Sequence, residues 1–422
     1  MLVVFCSILQ GQNAQDSLRI ELNKNPRNAT LINNLAEALM PDSLDKAREL
    51  ALQAIDIATP NQNLHEIARA QFIIGDSWWY AQDFAKSASW LEKSAETFRQ
   101  DNDLLMAANA YNDMAFALNQ IDRYDEALKA YRKSLSLLLE IDDEENLPSV
   151  LINIGQVHQK LGRNDSAIFY NEQGVSLTNF PGSEEEYSAA LSNLGFIYKN
   201  MGNFEKAIEY YSRAFEISKK MGMQSWMSTD LNNIANVYSY WGKYDQAKIY
   251  LKQSAAIATA ENNRAALEIT LNNLAYIYQE TGNLDSALVL YQQSAEIAEE
   301  LGRYGNLVLR KINMGLLYYQ KGDYDIAAKY VKEGLETNRK LGIKLSVSGA
   351  LLNLGTIYLA KGDTKQSGLY LDEALEIALE LDARIVLEKI YEARSKLFEK
   401  TGDFQRSLEN YINFFMKKDR KS

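Results

Sequence analysis

The sequence predicts an all-α protein, built as a solenoid of about ten helix-turn-helix repeats with a period of 40 residues. Three observations predict this fold class: a glycine recurs at that fixed step, small residues recur in phase with it, and no segment has the period-two alternation of a β-strand. A repeat of this length buries its apolar face only by stacking on its neighbours. The glycines that mark the period are Gly202, Gly242, Gly282, Gly322, Gly362 and Gly402.

Each repeat is predicted to consist of two antiparallel helices. In one repeat, residues 186–201 form the first helix, because Ala190 and Leu194 fall on the same face at helical spacing. Gly202 ends this helix, since glycine tolerates the left-handed backbone that a helix exit requires. Residues 204–219 then form the second helix.

Small residues at fixed positions indicate how the helices pack. Two of them lie seven residues apart in the second helix, as Ala207 and Ala214 do, and one lies in the first helix, as Gly195 does. An aromatic residue such as Tyr198 follows three residues after the first-helix position. Small against large side chains in register allow helices to approach closely. His158 takes the aromatic position in its repeat, so we expect a packed, hydrogen-bonded core histidine.

These residues carry a resemblance to the tetratricopeptide repeat (TPR) family. The run Leu-x-Asn-Leu-Gly-x-x-Tyr at residues 191–198, followed by Gly202 and Ala207, is similar to the TPR motif, and the match extends from about Thr30 to Met416. The resemblance implies a right-handed superhelix with a concave binding groove. The step of 40 exceeds the usual TPR length and is nearer that of HEAT repeats, but the glycine, tyrosine and alanine positions favour TPR. Longer helices or longer loops would explain the difference.

Charge and composition exclude several function classes. The net charge of −11 argues against nucleic acid as a partner, because neutralising phosphates requires a basic surface. Two histidines and one cysteine are too few for an ordinary zinc site or a nucleophile–base pair. We therefore predict no enzymatic activity, no metal and no cofactor.

The chain is predicted to divide into a signal-peptide remnant (residues 1–14), a solenoid (residues 15–416) and a basic tail at a domain boundary (residues 417–422). The apolar run from Leu2 to Leu9, followed by polar and small residues up to Ala14, resembles the end of a secretory signal, although the basic segment that usually precedes it is missing. We therefore expect an exported protein of the periplasm or cell envelope. An intact N-terminus would favour the alternative, a cytoplasmic protein.

The TPR resemblance also implies where a ligand binds. The first helices of TPR units line the groove, so residues beside the small position and on the following turn should contact a protein or peptide. Amides can pair with a peptide main chain, and tyrosines add stacking area. The central candidates are Asn232, Asn236, Tyr240, Asn272, Tyr276 and Gln279, and the flanking ones are Asn112, Gln156, Gln159, Lys199 and Tyr319.

Three further features of the sequence lie outside these candidate positions. A regular asparagine series is predicted to tie each helix to a neighbouring turn. Trp79 and Tyr80 suggest an N-terminal binding surface, and Lys311 stands where other repeats have leucine. The asparagine series comprises Asn153, Asn193, Asn233, Asn273, Asn313 and Asn353.

The last repeat resembles that of the sensory regions in Bacteroidetes-type signalling proteins, in which TPR arrays precede a membrane helix and a histidine kinase or helix-turn-helix output. This resemblance implies a non-catalytic scaffold, the sensory or interaction region of an envelope signal-transduction protein, with a membrane segment expected after Ser422. Two alternatives stay open: a cytosolic peptide-sensing TPR regulator, and the helical frame of a larger cell-wall enzyme. The sequence predicts neither the ligand nor the oligomeric state.

Overall fold

The computed structural model describes residues 15–40, 42–178 and 183–418, and every regular element in these ranges is helical. Residues 15–24 are helical (α1), and ten hairpins follow within the described ranges, with a short 3₁₀ helix at Thr59–Asn61. The all-α prediction and the approximate number of repeats are confirmed. The hairpins are α2 (Ala29–Leu39) with α3 (Leu44–Ala58), α4 (Leu64–Tyr80) with α5 (Phe84–Gln100), α6 (Leu104–Gln120) with α7 (Tyr124–Glu140), α8 (Leu147–Lys160) with α9 (Asn164–Leu177), α10 (Glu184–Asn200) with α11 (Phe204–Lys220), α12 (Gln224–Tyr240) with α13 (Tyr244–Ala260), α14 (Arg264–Glu280) with α15 (Leu284–Glu300), α16 (Tyr304–Lys321) with α17 (Tyr324–Lys340), α18 (Lys344–Lys361) with α19 (Thr364–Glu380), and α20 (Arg384–Thr401) with α21 (Phe404–Lys418).

Long helices and short turns together produce the period of 40 residues. Most of the helices have 17 residues, and about three residues separate each from the next. In the described turns from Gln62 onward, a residue with positive φ recurs at a spacing of 20, for example Gly202 at 77° and Gly222 at 69°. Asp122 adopts the same conformation with φ at 59°, which a short polar side chain tolerates better than most. The long period therefore comes from longer helices and not from longer loops.

Glycine in the first helix is a point of close helix approach. A Cβ atom at Gly195 would lie 2.9 Å from the ring of Tyr211, and one at Gly315 would lie 2.6 Å from Cγ2 of Val331. Each of these contacts joins the two helices of one hairpin. The predicted packing of a small residue against a large one is therefore observed.

The second small position of the second helix also has a hydrogen-bonding role. The Ser94 hydroxyl donates to the carbonyl oxygen of Ala68 at 2.9 Å, and the Ser294 hydroxyl donates to that of Glu268 at 2.9 Å. Both serines are fully buried. Serine at this position therefore ties the second helix to the first helix of the same hairpin, which an alanine cannot do.

The recurring aromatic residue of the first helix stacks on a tyrosine of the second. Tyr198 and Tyr210 lie with ring centroids 5.4 Å apart, and His158 stacks on Tyr170 at the same distance. His158 is buried as predicted, but neither ring nitrogen has a hydrogen-bond partner among the described residues. The predicted hydrogen bond of this side chain is therefore wrong, and burial lowers the pKa of His158, which favours the neutral imidazole.

The helices are grouped into two compact units, Met1–Ile217 and Ser218–Ser422. Within each unit, first helices of successive hairpins contact one another, as α8 and α10 do in the first unit and α12 and α14 in the second. We call the surface that the first helices form in each unit its first-helix face.

Both predicted terminal segments lie wholly or partly outside the described residues. The signal-peptide remnant, residues 1–14, is outside them, and so are residues 419–422 of the basic tail. Helix α21 ends at Lys418, two residues inside the predicted tail. None of the described helices is long and apolar enough to cross a membrane.

Candidate binding surface

The predicted binding residues all lie on first helices, but the structure places them in both units. Asn112, Gln156, Gln159 and Lys199 belong to the first unit, and the other seven belong to the second.

Three of the predicted residues are exposed on neighbouring first helices of the second unit. Asn236 and Tyr240 lie on α12, and Tyr276 lies on α14. The tyrosines keep 69% and 43% of their area accessible, respectively. Burial raises the pKa of Tyr276, and the charges of Glu280 and of nearby tyrosines, including Tyr240, raise it further. The two tyrosines therefore lie exposed on two first helices that contact each other.

Asn232, the first of the central candidates, does not belong to this surface. Its side chain is buried and donates from Nδ2 to the Ser228 carbonyl oxygen at 3.0 Å, the Ser254 hydroxyl at 2.6 Å and the Thr270 hydroxyl at 2.7 Å. The amide N–H groups of Asn232 thus bond to other residues of the chain and do not face a ligand. The assignment of Asn232 to ligand binding is therefore corrected to a structural role between hairpins.

Asn272 and Asn112 belong to a chain of amide contacts. Asn272 Nδ2 donates to Asn273 Oδ1 at 3.1 Å, and Asn273 Nδ2 donates to Asn232 Oδ1 at 3.2 Å. In the first unit Asn153 Nδ2 donates to Asn112 Oδ1 at 3.1 Å in the same way. At these positions the asparagine series joins one first helix to the preceding first helix, and not to a neighbouring turn as predicted.

The remaining candidates on the first-helix faces are half-buried. Gln156 and Gln159 lie on α8, and the ammonium of Lys199 lies 4.6 Å from the centre of the Phe196 ring. Burial lowers the pKa of Lys199.

In the second unit, side chains of the protein contact three further residues singled out in the sequence. Gln279 accepts a hydrogen bond from the Tyr291 hydroxyl at 3.3 Å, and the Tyr319 ring lies 5.8 Å from that of Tyr324. Lys311 forms an ion pair with the Glu333 carboxylate at 3.0 Å, which explains a cation in a position that other repeats fill with leucine.

A cavity of about 220 Å³ opens on the first-helix face of the first unit. Its walls come from two first helices and the second helix between them, and they combine carboxyl groups, aromatic rings and the hydroxyls of Ser87 and Tyr80. The sequence indicates a binding role for the Trp79 and Tyr80 pair but not for the residues around it. The lining residues are Asp76, Trp79 and Tyr80 of α4, Ser87 and Leu91 of α5, and Asp113 and Phe116 of α6.

Two carboxyl groups dominate the electrostatics of the cavity. Burial, together with the charges of Asp113 and Glu37, raises the pKa of Asp76 to about 7. Burial also raises the pKa of Asp113 to about 6, against a hydrogen bond from Asn112 that opposes the shift. Among the described residues, no cation forms an ion pair with either aspartate. The cavity therefore holds acidic groups without a cation that would stabilise their charge.

Aromatic rings form the other walls. The Trp79 ring lies 4.8 Å from the ring of Phe84 and 4.9 Å from that of Phe116, centre to centre. Tyr80 is 64% exposed, which places it where the cavity meets solvent. These contacts hold Trp79 in a fixed orientation.

The period of the sequence contains a signal that would have found this cavity. Asp76 and Tyr80 occupy the same repeat positions as Asn236 and Tyr240, four periods earlier. Asp113 stands at the position of the asparagine series, where it is the acidic exception. Extending the predicted binding positions to the first repeats would therefore have pointed to these residues.

Replacing Asp76 by asparagine is expected to stabilise the first unit, with a gain that grows as the pH rises from about 4 to about 7. The folded state holds the proton of Asp76 up to about pH 7, whereas the unfolded chain releases it near pH 3.8. Over this interval the unfolded chain binds fewer protons, so ionisation of this carboxyl lowers the free energy of unfolding of the wild type as the pH rises. Asparagine does not ionise, so the variant does not lose unfolding free energy in this way. We expect a gain on the order of 2 kcal/mol at neutral pH, after allowing for partial exposure.

Chemical denaturation near pH 4 and near pH 8 checks this expectation. The control is Asp56→Asn, which removes an exposed carboxyl of the same unit and should change the stability by less than about 0.5 kcal/mol. An equal gain for Asp76→Asn at the two pH values would show that the carboxyl does not ionise as described.

The comparisons with known proteins agree with this fold. Residues 196–411 match the family model described as the MalT-like TPR region, and residues 106–179 match a tetratricopeptide repeat model. No curated protein matches the sequence significantly.

Several solved structures are similar in fold. The apo form of RapI is 16% identical, covers 84% of this chain and 98% of its own, and superposes with a TM-score of 0.60. The apo form of the quorum sensor NprR from B. thuringiensis is 15% identical, with coverages of 79% and 98% and a TM-score of 0.56. A signal transduction ATPase with numerous domains and a tetratricopeptide repeat sensor, from Pyrococcus horikoshii, is 15% identical, with coverages of 87% and 52% and a TM-score of 0.57. The chain thus spans about half the length of that ATPase.

Proposed function

Because the chain belongs to the MalT-like TPR family, we propose that it is a non-catalytic scaffold that binds a peptide or protein on its first-helix face. The observation that carries this proposal is the exposed group of Asn236, Tyr240 and Tyr276 on α12 and α14. We further propose that binding serves signal transduction, with this chain as the sensory or interaction region.

The chemistry of the group suits a peptide main chain. An asparagine amide both donates and accepts hydrogen bonds, as a peptide group does, and therefore pairs with it regardless of the peptide's side chains. Tyrosine offers a large contact area at low cost in conformational entropy, and its hydroxyl finds partners at a wet interface. Tyrosines exposed by 43 to 69% contribute little to the core, so a binding role accounts for them better than a packing role.

Two similar structures support a sensory role by analogy. One is described as a quorum sensor and another as containing a tetratricopeptide repeat sensor. At 15% identity the likeness concerns the fold, so it supports the class of function and not a ligand. The envelope location is proposed from the apolar run at residues 2–9 alone.

A selection from a random peptide library on the full chain tests the proposal. We expect the selected peptides to bind the Tyr240→Ala/Tyr276→Ala variant about tenfold or more weakly than the wild type, because truncating two interface tyrosines removes buried contact area. Phe404→Ala is the matched control: this ring is 70% exposed, on a second helix of the same unit, and its loss should leave the affinity unchanged. Failure to enrich any peptide, or equal binding by the tyrosine variant, would remove the proposed surface.

A further inference from the structure

We propose that the cavity between α4, α5 and α6 is a subsite for a guanidinium group, the end of an arginine side chain in the bound peptide or protein. This inference rests on the proposed function, because it names a chemical group that a peptide or protein bound on the first-helix face of the first unit would present. Its residues belong to the first unit, whereas the exposed tyrosine surface belongs to the second.

The size of the cavity fits one side chain. Its volume of about 220 Å³ is below the roughly 300 to 1,000 Å³ of sites that hold a whole small-molecule ligand. Tyr80 at its exposed edge leaves an entry from solvent. A long, thin side chain that enters end-on is therefore a better fit than a bulky ligand.

The charge of the cavity selects a cation. Asp76 and Asp113 come from two successive first helices, and no described cation pairs with either of them. A guanidinium is planar and carries five N–H donors in a fixed geometry. It can therefore donate hydrogen bonds to two carboxylates that approach from different helices. An ammonium group concentrates its charge at one point and matches such a pair less well.

A buried hydroxyl provides an independent indication of a missing partner. Ser87 lines the cavity and is fully buried, and its hydroxyl has no hydrogen-bond partner among the described residues. Buried polar atoms are nearly always paired in folded proteins. A bound guanidinium would supply a donor to this oxygen at the same time as it pairs with the carboxylates.

The aromatic rings that line the cavity also suit an arginine side chain. Arginine stacks on aromatic faces, and its aliphatic stem packs against them. Trp78 shows this preference within the same unit, since the Arg48 guanidinium lies 3.9 Å and the Lys86 ammonium 4.1 Å from its ring centre. Trp79, which lines the cavity, carries no such cation among the described residues.

The test uses the full chain and the short peptide acetyl-Gly-Arg-Gly-amide as probe. We expect it to shift the indole N–H resonance of Trp79, assigned with a Trp79→Phe variant, in a saturable way. Asp76→Asn and Asp113→Asn should each weaken the affinity about tenfold or more, because a buried cation loses a charged partner. Asp56→Asn makes the same change in net charge on the surface of the same unit and should leave the affinity unchanged. Circular dichroism checks that each variant remains folded.

Two matched probes decide the chemistry. Replacing arginine by citrulline keeps the shape and removes the charge, so equal binding of the citrulline peptide would overturn the proposal, as would full affinity in Asp76→Asn. A lysine peptide that binds more tightly than the arginine peptide would overturn the choice of guanidinium. Propylguanidinium that binds as tightly as the peptide would support the subsite and identify a free guanidinium compound as a sufficient ligand.

The same experiment separates this inference from the proposed function. Tyr240→Ala/Tyr276→Ala should not change the affinity for the short arginine probe, because those residues are in the other unit. If the probe binds while no library peptide depends on the tyrosines, the subsite stands and the tyrosine surface does not. If library peptides depend on the tyrosines while the probe fails to bind, the reverse holds.

Discussion

Replacing Glu268 by alanine is expected to destabilise the second unit by about 3 to 5 kcal/mol, the largest stability loss that we predict from a single substitution. Its carboxylate is fully buried and accepts a hydrogen bond from the Arg310 guanidinium at 2.6 Å. Arg310 is itself only 7% exposed and also donates from Nε to the Ser294 hydroxyl at 3.0 Å. Removal of the carboxylate leaves a buried cation without its counter-charge. Chemical denaturation followed by circular dichroism measures the loss.

Two controls make this expectation specific. Glu300→Ala breaks an exposed ion pair with Arg264, which joins the two helices of one hairpin in the same unit, and it should cost less than about 1 kcal/mol. The double variant Glu268→Ala/Arg310→Met removes both charges and should be more stable than Glu268→Ala alone. A loss in Glu268→Ala no larger than that in Glu300→Ala would contradict a buried, charged contact.

This ion pair replaces a neutral network at equivalent positions one repeat earlier. Ser228, Ser254 and Thr270 form hydroxyl contacts around Asn232. One period later, Glu268, Ser294 and Arg310 occupy the positions of the two serines and the threonine. The same position between hairpins can therefore hold either a neutral hydrogen-bond network or an ion pair, provided that each buried polar group has a partner.

The period alone was enough to predict the fold. Turn conformation depends on a single residue, so the positive φ at Gly202 and Gly242 is readable from the glycines themselves. Helix packing depends on residues at fixed spacing, so the contact of Gly195 with Tyr211 is implied by their repeated positions. Both features are local or periodic, which makes them visible in one sequence.

The binding positions were only partly predictable. Asn236 and Tyr240 are exposed as expected, but Asn232, one turn before Asn236, is turned toward the neighbouring hairpin. Helical spacing places these asparagines on the same side, and it does not show that Thr270, 38 residues later, takes up the amide. Whether a side chain at the edge of a helix face is buried or exposed depends on the exact position of the partner helix, which the sequence does not determine in detail.

The cavity was missed for a related reason. Asp76 and Asp113 lie 37 residues apart, close to but not at one period, and neither repeat has the glycine that marks the later turns. Both carboxyls line the cavity because α4 and α6 pack on the same second helix, α5. Location and signal-peptide cleavage stay predictions, since they depend on residues 1–14, which lie outside the described ranges.

Replacing Gly315 by leucine is expected to destabilise the second unit by about 3 kcal/mol, whereas Gly305→Leu on the same helix, α16, should be neutral or slightly stabilising. At Gly315 even a Cβ atom would lie 2.6 Å from Val331 Cγ2 and 3.0 Å from the carbonyl oxygen of Ala327. Val331 is β-branched and fully buried, and a backbone oxygen moves only with its helix, so α16 and α17 would have to separate. A Cβ atom at Gly305 would meet no described atom within 4 Å outside the adjacent backbone of its own helix, so Gly305→Leu reports the effect of leucine on helix propensity. The difference between the two midpoints of chemical denaturation measures the stability lost when a side chain is forced between α16 and α17. Equal midpoints would mean that the hairpin does not depend on a small residue at this position.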